Sequence, residues 1–294
     1  MPVSNSNPLL NLATPPERVI SLVPSITESI FDLGLGDKLV GITDYCCEPA
    51  DKLEGLPRVG GVMDPDLAKI TALNPELVIS SKGENSREII EEIQSAGIPV
   101  WVTNPRTIED ALDILNSIAG VFRDDPASMK VNILKTAIEY ALMALTDNPR
   151  IKYFCPIWQE EFEGELYWIT FNDETYAGNL MHRCGGENIF SSRKRKYPLV
   201  VDLGKSYQEE DPGERDVDYP RVISKEIVEA QPDLIIFPDE PYPFTEQCMN
   251  LCLEKLHETP AVKNDRFKQV EGKMITWFGT RTAKAVLEIP GFLS

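Results

Sequence analysis

The sequence predicts an α/β protein of two lobes, each built on a mainly parallel sheet, joined by one long helix. Three observations predict it. Short apolar strands alternate with amphipathic helices along nearly the whole chain. Near the middle, Asp125 to Thr146 keeps a helical period over about five turns, enough to span roughly 30 Å. A helix–Pro–strand unit occurs twice, as DLAKITALNPELVIS at Asp66–Ser80 and as ISKEIVEAQPDLIIF at Ile223–Phe237. Repeats at this separation suggest duplicated lobes rather than a solenoid. The long helix would also serve as one surface helix of a single larger domain.

Taken in order, residues 1–16 read as a flexible arm and residues 17–124 as the first lobe. Arg18–Val23 (RVISLV) is an apolar strand. Pro24 breaks it, and Ser25 or Thr27 is placed to cap a helix through Leu33, which Gly34 and Gly36 end. Leu39–Ile42 is a second strand. Thr43, Asp44 and Tyr45 follow at its C-terminal end, where open α/β sheets bind ligands. After Gly60 and Gly61 come a helix at Pro65–Leu73, a strand at Leu77–Ser80, and the loop Gly83–Asn85. Ser86 caps the next helix to Ala96; Ile98–Val102 is a strand and Ile108–Phe122 a helix.

The connecting helix takes residues 125–147. Asp125 suits its cap and Pro126 its first turn, with apolar rows at Met129, Ile133, Ala137, Ala141, Leu145 and at Leu134, Ile138, Leu142. Asp147, Asn148 and Pro149 stop it. The second lobe, 148–294, has strands at Ile151–Cys155, Leu166–Thr170, Leu234–Pro238 and within Lys268–Thr276. Its helices are Glu174–Arg183, Ser224–Ala230, Phe244–His257 and one starting at Thr282. Residues 191–218 are polar and charged and read as a long insertion.

The 294 residues carry a formal charge of -18, which argues against nucleic acid or an anionic membrane as partner. The basic run Arg193–Lys196 reads as a solvated loop. No apolar run reaches membrane-spanning length, so no membrane insertion is expected. The first residues lack a basic start and an apolar core, which predicts a cytoplasmic location, the alternative being a start that omits a leader. The six cysteines form no CxxC pair and read as buried free thiols.

No catalytic constellation is present: there is no P-loop, GxGxxG, HExxH or GxSxG. The two histidines, His182 and His257, read as structural or exposed, and no metal site is predicted. The chain therefore reads as non-enzymatic. Aromatic and polar residues at loop ends remain: Tyr45, Phe171, Tyr219, Trp277 and Arg281, with Trp101 a core residue at the end of an apolar strand. Such aromatics supply flat walls, and an arginine can pair with an anionic or amide edge of a ligand.

RVISLVPSITESIFDLGLGDKLVGITDY at Arg18–Tyr45, the repeat with GEN after it, CGGENIF at Cys184–Phe190, YPRV at Tyr219–Val222 and WFGTR at Trp277–Arg281 occur in order around one long helix. In this the chain resembles the helical-backbone substrate-binding proteins of ABC importers, its cobalamin-binding members most closely. The resemblance implies two Rossmann-like lobes, a shallow cleft between them, and binding of cobalamin, haem or a ferric siderophore as carried ligand, with no intrinsic cofactor. It places Tyr45, Val62, Gly83, Glu84, Asn85, Phe171, Tyr219, Trp277 and Arg281 at the ligand. Tyr219 and Val62 replace tryptophans of the cobalamin binders.

Family members dock on a permease through one glutamate per lobe, seven residues before the proline of the repeat. Those positions hold Ala68 and Lys225 here, and a lysine would repel a permease arginine. The resemblance thus leaves an importer partner open and a monomer expected. The alternatives are a metal-ion receptor, a cytoplasmic relative outside transport, or an enzyme or assembly factor on the same scaffold.

Overall fold

A computed structural model describes residues 12–145 and 149–293. The start of the expected arm, and the helix stop expected at Asp147 and Asn148, lie outside these residues. The chain divides into two compact units. The first runs to Pro105 and adds Glu109–Ala137 and Phe278–Arg281; the second takes Arg106–Ile108, Ile138–Trp277 and the residues from Thr282 on.

The first unit has strands β1 (Val19–Ser21), β2 (Leu39–Ile42), β3 (Leu77–Ser81) and β4 (Val100–Thr103). They form one parallel sheet in the order β2-β1-β3-β4. Helices α1 (Pro24–Leu33), α2 (Leu67–Ala72), α3 (Arg87–Ser95) and most of α4 (Ile108–Phe122) belong with it. Ile20, Leu22, Val59, Ile70, Val78, Ile89, Ile93 and Val100 make the core between strands and helices. The strand ends before Pro24, as expected. Pro24 is the first residue of α1, where its missing N–H costs nothing. Ser25 and Thr27 are buried inside that helix and do not cap it.

Helix α5 (Asp125–Met143) contributes residues to both units. Asp124, not Asp125, caps it, accepting from the Ala127 N–H at 2.7 Å. Of the apolar rows, Ile138 and Leu142 are buried, whereas Met129 and Ile133 are exposed; Val131, outside both rows, is buried. A helical period locates the helix but does not say which row meets a neighbour.

In the second unit β5 (Ile151–Phe154), β6 (Trp158–Phe162), β7 (Glu165–Ile169), α6 (Tyr176–Arg183), β8 (Gly186–Asn188), α7 (Leu199–Asp202) and β9 (Arg221–Ile223) come first. Then follow α8 (Ser224–Ala230), β10 (Leu234–Pro238), α9 (Glu246–Lys255), α10 (Pro260–Lys263), β11 (Phe267–Val270), α11 (Lys273–Thr276) and α12 (Thr282–Leu293). The main sheet is parallel, in the order β11-β10-β5-β8. Numbered within its own unit, this is the strand order 2-1-3-4 of the first unit. The repeat occupies the same place in both: α2 leads into β3 and α8 into β10. Asn74 and Gln231, just before the prolines, both take positive φ, 45° and 52°, to turn helix into strand.

A second, three-stranded sheet, β6-β7-β9, is antiparallel. Strand β6 was not expected, because three of its five residues are polar. Glu163 and Gly164, at φ 52° and 77°, supply the two positive-φ positions that a tight hairpin needs. The expected insertion is tied down. The Arg195 N–H donates to the Val217 carbonyl at 2.7 Å. The fully buried Asp202 carboxylate accepts from Arg193 at 2.9 Å and from the Lys196 N–H at 3.0 Å. The Arg193–Lys196 run is therefore only partly a solvated loop: Arg193 is paired inside it.

Candidate functional site

In the first unit β2 delivers Thr43, Asp44 and Tyr45 to the C-terminal edge of the sheet. The turn is fixed from beneath. Arg58 donates to the carbonyls of Thr43 and Cys46, both at 2.7 Å, and the Asp44 N–H donates to the Gly60 carbonyl at 2.8 Å. Burial pushes the Cys46 thiol up, so it stays neutral against the hydroxyls of Thr27 and Thr43. With its backbone held, the Tyr45 side chain is left 64% exposed. It lines an open pocket of about 320 Å³ with Asp44, Gly61 and Asp64. A Cβ on Gly61 would come within 2.2 Å of Asp64 Oδ1, so glycine is what lets that carboxylate approach.

The neighbouring loops are joined by Asn85, which is only 5% exposed. Its Oδ1 accepts from the Ser81 N–H at 2.8 Å, and its Nδ2 donates to the Val62 carbonyl at 2.7 Å. Asn85 thus ties the end of β3 to the loop carrying Val62 and Asp64. Gly83 and Glu84 form the open tip, which folds back as the Glu84 and Asn85 N–H groups donate to the Ser81 carbonyl. Tyr45, Val62 and Gly83–Asn85 therefore come together. The sequence reading missed Asp64 and the exposed Met63 beside them; the only signal was the glycine pair before them.

Arg281 also belongs to the first unit. It is 9% exposed and forms a two-point ion pair with Glu28 of α1. Gly279 and Thr280 explain the rest of that motif. The Thr280 N–H donates to Ser29 Oγ at 3.1 Å, and its hydroxyl donates to Asp32 at 2.6 Å.

The remaining expected residues lie in the second unit. Phe171 is 1% exposed, with its ring centroid 6.5 Å from that of Tyr153, and its side chain is core. Trp277 is buried beneath Lys273, whose Nζ lies 5.3 Å from the ring centroid. Tyr219 is half-buried on a turn anchored by Asp218. That carboxylate accepts from Lys194 at 2.7 Å, Arg106 at 2.9 Å and Asn172 at 3.3 Å. Burial alone would raise the Asp218 carboxyl, but these donors outweigh it and leave it below its usual range. Among the described residues no three His, Cys, Asp or Glu side chains converge as metal ligands would.

The family model described as periplasmic binding protein matches residues 19–271. The chain belongs to the periplasmic binding protein family. The vitamin B12-binding protein of Vibrio parahaemolyticus is 28% identical over 188 residues, 63% of this chain and 66% of that protein's length. That of Vibrio vulnificus is 31% identical over 193 residues, 64% and 67% of the two. Among solved structures, the periplasmic vitamin B12-binding protein BtuF of Vibrio cholerae has a TM-score of 0.74 at 22% identity, covering 95% of this chain and 97% of that one. The periplasmic haem-binding protein RhuT of Roseiflexus gives 0.71 at 20%, covering 95% and 99%. At these identities the structures show the fold alone.

Membership corrects the expected cytoplasmic location. The family and its solved neighbours are periplasmic. The cytoplasmic expectation rests on the first residues and on two docking positions, which weigh less than a match across most of the chain. In this periplasmic binding protein those docking positions are exposed, Ala68 on α2 and Lys225 on α8. Glu226, beside Lys225, is occupied by Arg193 at 3.1 Å. No helix among the described residues is long and apolar enough to cross a membrane.

Proposed function

We propose that this periplasmic binding protein carries a corrinoid as cargo, as a monomer and without catalysis. The exposed Tyr45 between Asp44 and Asp64 carries the reading. A flat apolar face edged by two carboxylates suits a flat ligand whose periphery offers N–H donors, as the amide side chains of a corrin do. Haem would bring its propionates against those carboxylates, and like charges at that distance oppose binding. The names of the relatives at 28% and 31% identity support the same ligand class. The resemblance puts a pocket tryptophan at Tyr219, which makes that residue a separate test of the reading.

An importer permease remains the proposed recipient. Its docking would not use Ala68 and Lys225. Glu88, Glu91 and Glu92 of α3 line a groove with Leu67 of α2, one residue from Ala68. Glu91 is paired with Arg87 at 2.7 Å, and Glu88 and Glu92 offer carboxylates to a basic surface.

The test is calorimetric titration and thermal shift with cobalamin, cobinamide, haem and ferric siderophores. Saturable stabilisation by the corrinoids, with little by haem, is the expected result. Preference for haem or a siderophore would reject the corrinoid assignment.

A further inference from the structure

A concentration of positive charge lies on the second unit, on the outer face of the β6-β7-β9 sheet. Pairing of Tyr167 with Ile223, Trp168 with Val222 and Ile169 with Arg221 divides the sheet's side chains between two faces. Trp168 and Val222 are fully buried in the core, so Arg221 and Tyr167 stand on the opposite face. Onto this face the segment after Phe190 brings Arg195, Tyr197 and Arg215. The guanidinium carbons of Arg195 and Arg221 each lie 5.7 Å from the Tyr197 ring centroid, and that of Arg215 lies 4.0 Å from it. The phenol itself is fixed by donating to the Asp216 carbonyl at 2.6 Å.

The three arginines differ in what neutralises them. Arg215 is paired with Glu210 at 3.3 Å. Arg221 Nη1 comes no closer than 3.7 Å to Asp202, whose oxygens already accept from Arg193 and from the backbone of Lys196 and Arg221. Arg195 has no side-chain acceptor or ion-pair partner among the described residues. Its Nε and Arg221 Nη1 are both buried without a hydrogen bond. Burial, and then the charge of Arg195, hold the Arg221 guanidinium below its usual value. Among the described residues no carboxylate forms an ion pair with Arg195. Like charges gathered with unmade hydrogen bonds are unfavourable, and an anion between them removes both penalties.

We propose that Arg195 and Arg221, walled by Tyr197, bind a small free oxyanion with at least two acceptor oxygens, of the phosphate or carboxylate class. Arg221 is 15% exposed, which suits a free ion better than a group fixed in a membrane surface. The planar forks of the two arginines match such an ion.

The probe is inorganic phosphate at pH 7, with ionic strength held constant by sodium chloride and binding read by calorimetry and thermal shift. One saturable site is expected, with stabilisation beyond that given by chloride. Arg195→Gln and Arg221→Gln should each weaken it by roughly tenfold or more. Arg195→Lys should retain part of it. Lys205→Gln, on the same segment but packed on Phe162, should leave it unchanged. Circular dichroism melts check that each variant folds, and the wild-type comparison of phosphate with chloride decides the matter if one does not. Phosphate stabilising no more than chloride, or Arg195→Gln binding like wild type, would overturn the proposal. So would sedimentation with phosphatidylglycerol vesicles in the absence of free-phosphate binding, which would move the site to a lipid head group.

Discussion

Arg281 donates to both carboxylate oxygens of Glu28, from Nε to Oε2 at 2.8 Å and from Nη2 to Oε1. The side chains are only 7% and 13% exposed. Removing one partner leaves a buried charge without its counterion. Glu28→Ala should therefore cost about 3–5 kcal/mol in urea unfolding, and Glu28→Gln less. A loss below about 1 kcal/mol, the range of exposed pairs, would mean that Arg281 is free to serve a ligand.

Gly279 lies close against Ser29 of α1. Its φ is +95°, and an added Cβ would lie 2.2 Å from Ser29 Oγ. Gly279→Ala should destabilise by more than about 1 kcal/mol, from strain and overlap together. In a Ser29→Ala background the overlap disappears, so the same substitution should cost less. Equal costs in both backgrounds would show that the close approach does not matter.

Tyr45→Ala should weaken corrinoid binding by about 1–3 kcal/mol, read by calorimetry, with the melting temperature unchanged because the ring packs on little. Tyr219→Ala is expected to act on affinity to a similar degree. Full affinity after either change removes that residue from the site. Asp44→Asn combined with Asp64→Asn should shift selectivity toward haem by relieving charge repulsion, and an unaltered selectivity would discount the acidic rim.

Asp218 makes stability depend on acid. Its folded carboxyl lies below the usual value, so its contribution is present above the unfolded value near pH 4 and is lost as pH falls through the folded one. Asp218→Asn should lower the urea midpoint at pH 7, and the gap to wild type should shrink at pH 3. A constant gap between the two pH values would show that the charge on Asp218 is not what stabilises the turn.

Much of the architecture is legible in local pattern. The duplicated Pro75 and Pro232 units stand before the equivalent third strand of each parallel sheet, and Ser86 caps α3 as its position predicts. Strand β6 is hidden because glutamates on an exposed face do not look like a strand until a hairpin partner is known. Among site residues, Tyr45 could be found because it follows a strand of an open sheet. Phe171 follows a strand too, yet it is buried, and nothing in its neighbours along the chain distinguishes the two.

Period, turn residues and repeat spacing act within a few residues, so the chain alone was enough for its α/β class, its duplication and its resemblance to a family. Burial and pairing join residues far apart in sequence. Only the folded protein could therefore assign Arg281 to Glu28, Asn85 to the loop of Val62, and Asp202 to Arg193, while leaving Arg195 Nε buried without a partner among the described residues.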